Sequence, residues 1–349
     1  MSSPDQYLQR MEALIEQHSV NGKTVWKLLK ELDPNLHLFI DALNDLYRKG
    51  RIKVLDGKIY PVDSQRSSEF ELAECEDCHY PGLRMSKSWL EVLRRYNEIV
   101  KERPQPDARF FQGYMLPDDV VKRAAYMNWW GDLYDKDVLI LGDDDLLSIA
   151  LGLTGLPRSI TVLDVDERVV EFIERKKGEL NTKVDALVYN VKDPLPNELI
   201  DRFDVVSSEP LETLSGLRAF VIRATLSLKS GGVAYLGLSR SEANIRKWRY
   251  FQGLVHRLGY VISDMRLKFS RYKVDYPTAN YEEFLNAFSF KVSRNEGVIW
   301  YTSALYRLER IKPAGKLSNQ PMKVRLVDLY DDISYPGLST GNQKGKRNL

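Results

Sequence analysis

Apolar positions recur at helical spacing over residues 4 to 17 and again over 34 to 48, where Leu36, Phe39, Ile40, Leu43, Leu46 and Tyr47 share one predicted face. A shorter helical stretch, TVWKLLKEL, lies between them. Gly50 ends the third helix, and Asp56-Gly57 separates the β-type runs IKVL and KIYPV as a two-residue hairpin turn would. Three helices and a hairpin predict a small winged-helix-like domain over residues 1–62. Residues 63–110 then break the pattern, with polar SQRSSE, the string ECEDCHYPG, one helix in SKSWLEVLRRYNEIVKE, and two prolines in RPQPD. They read as a connector.

From residue 137 the period changes. The β-branched runs DVLILG, SITVLDVD, VDALVYNV, FDVVSSEP and VAYLGLSR alternate with amphipathic stretches such as ERVVEFIERKKGEL, LSGLRAFVIRATLSLK and EANIRKWRYFQGLVHRLG. Strand-helix alternation predicts a parallel sheet covered by helices. Two later strand-like segments, YVISDMRLKF and GVIWYTSALYRLER, resemble the antiparallel carboxyl-terminal edge of a methyltransferase-type Rossmann sheet. The expected fold class is therefore α/β, with a mostly parallel Rossmann domain over residues 111–311 joined to the winged-helix-like domain. Residues 312–349 form an extension whose tip, STGNQKGKRNL, is expected to be mobile.

Composition adds exclusions more than assignments. With 43% hydrophobic and 29% charged residues the chain has the balance of a folded globular protein, and 349 residues exceed what one core usually serves. No apolar run has membrane-spanning length and the amino end lacks the apolar core of a signal peptide, so a cytoplasmic location is expected. Residues 1–62 carry nine Lys or Arg against eight Asp or Glu. That balance offers no phosphate-binding face, so the small domain is expected to pack or dimerise rather than bind nucleic acid. Cys75 and Cys78 are the two cysteines, enough for half a structural zinc site, and His79 completes a haem-attachment string that lacks an export signal. They read as a local disulfide or free thiols, with a zinc shared across a dimer as the alternative. No metal is assigned.

In an open α/β sheet the ligand lies at the carboxyl ends of the strands. Here those ends are acidic: Gly142-Asp143-Asp144-Asp145, Asp164-Val165-Asp166, Asn190 with Asp193, and Glu209. A pyrophosphate would need glycines and a helix amino terminus, and three carboxylates would repel it, so dinucleotides and ATP are excluded. A sulfonium nucleoside, carrying a positive sulfur and a protonated amine, suits the acids. Asp164 and Asp166 are placed for the ribose hydroxyls, with a helix cap as the alternative for Asp166. Asn190 with Asp193 is placed to read the adenine edge.

The strings ILGDDDLLSIALGLTG, VLDVDERVVEFI, DPLP, EPLETLSGLRAFV, ATLSLKSGG and RKWR resemble the branched-chain polyamine synthases, the N(4)-bis(aminopropyl)spermidine synthases of thermophiles. The likeness runs from about Arg103 into the last fifty residues. It implies aminopropyl transfer from decarboxylated S-adenosylmethionine to the central amine of spermidine, with methylthioadenosine leaving, and a homodimer with a winged-helix-like amino end. Both substrates are cations, which matches the acidic strand ends. Asp143 is the first candidate to orient and deprotonate the amine and Glu209 the second, while Gly142, Asp144 and Asp145 are candidates for the co-substrate site, with helix capping as the alternative for Asp144 and Asp145. Relatives end strand four in Asp-Pro-Pro where this chain has Glu209-Pro210-Leu211, and of their Asp-Gln pair it keeps Gln112. Tyr114, Tyr126, Trp129 and Trp130 are candidates for a cation-π channel. The alternatives are a methyltransferase acting on a small molecule or RNA, and a ligand-sensing DNA-binding regulator.

Overall fold

In the computed structural model, which describes residues 4–62, 84–276, 279–280, 282–312 and 317–328, the amino-terminal periodicity becomes three helices. These are α1 (Pro4–His18), α2 (Val25–Leu32) and α3 (Leu36–Arg48). Thr24 and Asn35 cap the second and third, their side-chain oxygens accepting the Lys27 and Leu38 N–H groups at 3.3 and 3.2 Å. Strands β1 (Ile52–Leu55) and β2 (Lys58–Pro61) form the expected antiparallel hairpin. Asp56 and Gly57 both have positive φ, as a tight primed turn demands. This core is completed from far along the chain, because Val274, Phe284 and Trp300 are buried in it. A short ladder, β9 (Asp275–Tyr276) with β10 (Ala279–Asn280), lies in that same distant segment.

The main sheet contains β3 (Asp137–Leu141), β4 (Ser159–Asp164), β5 (Lys183–Val188), β6 (Phe203–Ser208), β7 (Leu228–Ser239), β8 (Tyr260–Arg271) and β11 (Thr302–Arg310) in the order β5-β4-β3-β6-β7-β11-β8. The first five strands pair in parallel, and β11 is antiparallel to both its neighbours. The reversed strand is thus inserted one place in from the edge. The connection from β7 through α9 (Ile245–Arg257) to β8 skips one position, and β11 fills it, pairing the backbone groups of both flanking strands.

Helices α4 (Lys87–Ile99), α5 (Pro117–Trp129), α6 (Leu147–Thr154) and α7 (Glu167–Lys176) cover one face, while α8 (Leu214–Ser227) and α9 cover the other. Both faces of the sheet are buried, which explains why β3 is apolar at four successive positions. Within the stretch read as a connector, α4 buries Tyr96 and Ile99 in the core of the large sheet. Helix α5 had no clear periodic signal because it is enclosed on most sides: Val120, Val121, Lys122, Arg123, Ala124, Tyr126 and Met127 are all buried. Residues 317–328 lie against the sheet domain, where Asn319 donates to and accepts from Leu195 backbone groups at 2.7 and 2.8 Å. Cys75, Cys78, His79 and the 329–349 tip lie outside the described residues. No described helix is long and apolar enough to cross a membrane.

Candidate active site

At the end of β3, Gly142 turns with φ 80°, a left-handed conformation that would strain a side chain. Its N–H still reaches the Leu163 carbonyl at 2.8 Å, so the loop leaves the sheet in register. Asp143 is buried: its N–H donates to Asp164 Oδ2 at 2.7 Å, and its carboxylate accepts the Ser148 N–H at 3.2 Å, capping the first turn of α6. Asp145 accepts the Met115 N–H at 2.6 Å. Asp144, between them, lines a cavity of about 380 Å³. Among the described residues no donor is hydrogen-bonded to its carboxylate.

The cavity crosses the carboxyl ends of β3, β4, β6 and β7 and the start of β11. Six acids line it (Asp144, Asp145, Asp164, Glu209, Glu212 and Glu242) against three bases, Arg109, Lys192 and Lys273. Such crowding acts on the proton affinities. Burial, then the charges of Asp145 and Asp164, push Asp144 well above the usual carboxylate range. Asp145 is pushed up to about 7 by burial and then by the Glu209 charge. Burial followed by the Glu242 charge raises Glu212 well above its ordinary value, and burial raises Asp164 although it accepts the Asp143 and Asp166 N–H groups. A cation entering the cavity would reverse these shifts, which suits the cluster to a cationic ligand.

Glu209, at the turn after β6, is held differently. It forms an ion pair with Arg123 of α5, a buried guanidinium that also donates to Ser270 Oγ at 3.0 Å. The Glu209 carboxylate rests on Gly237 of β7, in space that a Cβ at this position would occupy. Toward β11, Glu212 accepts from the Ser239 hydroxyl at 2.8 Å, and Tyr301 donates its hydroxyl to Glu242 at 2.6 Å.

Comparison with known proteins identifies the architecture. The family described as "Branched-chain polyamine synthase A C-terminal domain" matches residues 91–334. The N(4)-bis(aminopropyl)spermidine synthase of Methanocaldococcus jannaschii is 34% identical over 321 residues, covering 88% of each chain. That of Thermus thermophilus is 35% identical over 296 residues, 84% of each. The crystal structure of the branched-chain polyamine synthase from Thermus thermophilus, in complex with N4-aminopropylspermidine and 5'-methylthioadenosine, superposes with a TM-score of 0.81 at 32% identity over 91% of both chains. This chain belongs to the branched-chain polyamine synthase family.

Of the residues that the strand-end pattern selects in this synthase, the fold gathers Gly142, Asp144, Asp145, Asp164, Asn190 and Glu209 around the cavity, together with Gln112, which the family resemblance supplied. Three are placed elsewhere. Asp143, the first candidate for the base, turns its carboxylate onto the amino end of α6, away from the cavity wall. Asp166 caps α7 through the Arg168 N–H at 3.0 Å and pairs with the Arg168 guanidinium and Gln112 Nε2. Burial alone would raise Asp166, but those partners hold it below the usual range. Asp193 is exposed, and its N–H donates to the Asn190 carbonyl. Tyr114, Tyr126, Trp129 and Trp130 do not line the cavity. Tyr114 carries the Arg103 guanidinium 3.8 Å over its ring, and Trp129 lies on the surface.

Sequence reasoning missed Glu212, Glu242, Tyr272, Tyr301 and the buried Arg123. Extending the strand-end rule to β7 would have reached Glu242, three residues beyond Ser239. Tyr301 carries a subtler signal. It precedes β11, and the start of a reversed strand lies at the same edge as the carboxyl ends of its parallel neighbours.

Proposed function

We propose that this synthase moves aminopropyl groups from decarboxylated S-adenosylmethionine to the central secondary amine of spermidine, releasing methylthioadenosine and building a branched polyamine. The observation that carries this reading is the acid-walled cavity with Asp144 in its lining and, among the described residues, no donor hydrogen-bonded to its carboxylate. Asp164 at β4 and Asn190 beyond β5 suit the ribose and adenine of the nucleoside. The acids of β3, β6 and β7 suit two polycations.

Chemically, the amine lone pair attacks the carbon beside the sulfonium sulfur, the C–S bond breaks, and methylthioadenosine leaves with the electron pair. The positive charge passes from sulfur to nitrogen. The attacking amine must first lose a proton, a step assigned here to Asp144 because its carboxylate lines the cavity, with Glu209 paired to Arg123. Asp143 supports this loop by capping α6. Division of labour along the chain follows, with residues 111–311 carrying the chemistry and residues 317–328 walling it through Val324 and Leu326. A homodimer and a cytoplasmic location complete the proposal.

Purified protein incubated with spermidine and either form of the co-substrate tests the reaction. Methylthioadenosine and a product heavier by aminopropyl units are expected with the decarboxylated form alone, and methylated product from the intact form would defeat the reading.

Proton linkage supplies a second test. Asp145 has its value raised from 3.8 to about 7, so its contribution to stability is complete below about 3.8, where it is protonated in both states, and is lost as pH rises to about 7. Calorimetry of the empty protein should show this contribution fading over that interval. Spermidine should raise the Tm more at pH 8 than at pH 5, because only the ionised cluster attracts it. A larger gain at pH 5 would contradict the cation-binding role.

A further inference from the structure

Two tyrosines in the cavity lining stand among its acids. Tyr272 follows β8 and Tyr301 precedes β11, and the Tyr272 N–H donates to the Tyr301 carbonyl at 3.0 Å, so antiparallel pairing brings both residues to one place. Their ring centroids are 5.4 Å apart and the ring planes cross at 83°. Both rings are held at their outer ends as well, because the Tyr272 and Ser303 hydroxyls are hydrogen-bonded at 2.9 Å and Tyr301 donates to Glu242 at 2.6 Å. The chain around Tyr301 is fixed in turn. Trp300 is buried against Trp26 and Phe284, and Thr302 donates its hydroxyl to Asp33 at 2.8 Å.

Negative charge flanks the pair. Burial, then the charges of Glu209 and Asp145, raise the Tyr272 phenol well above its usual value, and burial followed by Glu242 and Glu212 does the same to Tyr301. Both phenols therefore stay neutral, and with their hydroxyls engaged they offer a ligand the negative face of a ring. Among the described residues no Arg or Lys is seated over either ring. Tyr114 and Trp130, by contrast, already carry Arg103 and Arg307 at 3.8 and 4.4 Å.

An aromatic face attracts a cation whether or not the cation carries a hydrogen. That property separates the two transfers open to a secondary amine. After the first, the nitrogen is a tertiary ammonium whose N–H a carboxylate can accept and remove. In the second, the lone pair of the tertiary amine forms a new N–C bond as the C–S bond breaks, and methylthioadenosine leaves with the electron pair. The nitrogen then bears four carbons and a charge that no proton loss relieves, and no hydrogen bond can hold it.

We propose that Tyr272 and Tyr301 receive the branching nitrogen as it becomes quaternary, so that this aromatic pair carries a second aminopropyl transfer. The inference rests on the aminopropyl-transfer reading above.

Spermidine and N4-aminopropylspermidine, supplied separately with decarboxylated S-adenosylmethionine, isolate the two transfers. Tyr272→Leu is expected to lower kcat/KM for N4-aminopropylspermidine about 30-fold, the worth of one desolvated cation-π contact, and that for spermidine only about threefold. Tyr301→Leu should give the same split, and Tyr272→Phe, which keeps the ring, should recover most of the second transfer. Calorimetry on the unmodified protein needs no variant. With methylthioadenosine present, spermidine bearing two methyl groups on its central nitrogen, a permanent quaternary cation, should bind at least as tightly as spermidine. Equal losses for the two acceptors, a Phe variant as poor as the Leu variant, or binding of the quaternary probe about tenfold weaker than that of spermidine would overturn the role. Methylthioadenosine release from spermidine without any doubly substituted product would overturn it and leave the transfer reading standing, whereas no release at all would overturn both.

Discussion

Asp144→Asn should lower kcat for aminopropyl transfer by about 10²–10⁴-fold, the usual worth of a positioned general base, while leaving the fold and the binding of methylthioadenosine intact. Amide and carboxylate have nearly the same shape, but an amide cannot take the proton that the attacking amine must lose. Replacement also relieves repulsion, since Asp144 lies among the charges of Asp145, Asp164, Asp143 and Glu209, so thermal stability should hold or rise. Asp143→Asn is the contrasting variant. Its side-chain oxygen can still accept the Ser148 N–H at the start of α6, so activity should stay within several-fold of the unmodified protein, given that an amide oxygen accepts from such an N–H about as well as a carboxylate. Single-turnover rates of methylthioadenosine release for the two variants decide between the neighbouring acids. A severe loss in Asp143→Asn with normal rates in Asp144→Asn would reverse their roles.

A single methyl group added beside Glu209 should do nearly as much damage. In Gly237→Ala the new Cβ would overlap the Glu209 carboxylate, and Glu209 is the flexible partner that must give way. Moving it breaks the pair with Arg123, a guanidinium buried in the core of the sheet domain. Leaving such a charge unpaired costs about 3–5 kcal/mol, part of it in stability and part in the shape of the cavity. The expected result is a loss of about 100-fold in kcat/KM together with a lowered Tm. Glu209→Asp withdraws the carboxylate by one methylene, so the double variant should recover part of what Gly237→Ala alone loses. A double-mutant cycle on kcat/KM measures that coupling, and additive losses would show that Gly237 acts on something other than Glu209.

What could be read before folding followed the periodicities. Helices α1 to α3, the Asp56-Gly57 hairpin and the alternation from β3 to α9 are local patterns, each written in ten or twenty consecutive residues. The acidic strand ends were legible for the same reason, because the parallel sheet sends its carboxyl ends to one edge. Helix α5 was not legible, since burial on most sides removes the polar stripe by which amphipathic helices are found. Nor could the sequence choose among three adjacent aspartates. Successive side chains leave the backbone in different directions, and the positive φ values of Gly142 and Leu146 set which of them faces the cavity.

Charge pattern and strand-helix alternation therefore determined, from sequence alone, that this chain is an α/β protein with an acidic sheet edge, because both are properties of short segments. Tertiary structure alone decided that Asp144 rather than Asp143 faces the cavity, that Arg123 from another helix fixes Glu209, and that the α2–α3 corner reaches Thr302 and Ser241 across more than two hundred residues. Each of these depends on the distance between side chains remote in sequence or on a local backbone turn. Neither quantity exists until the chain has closed on itself.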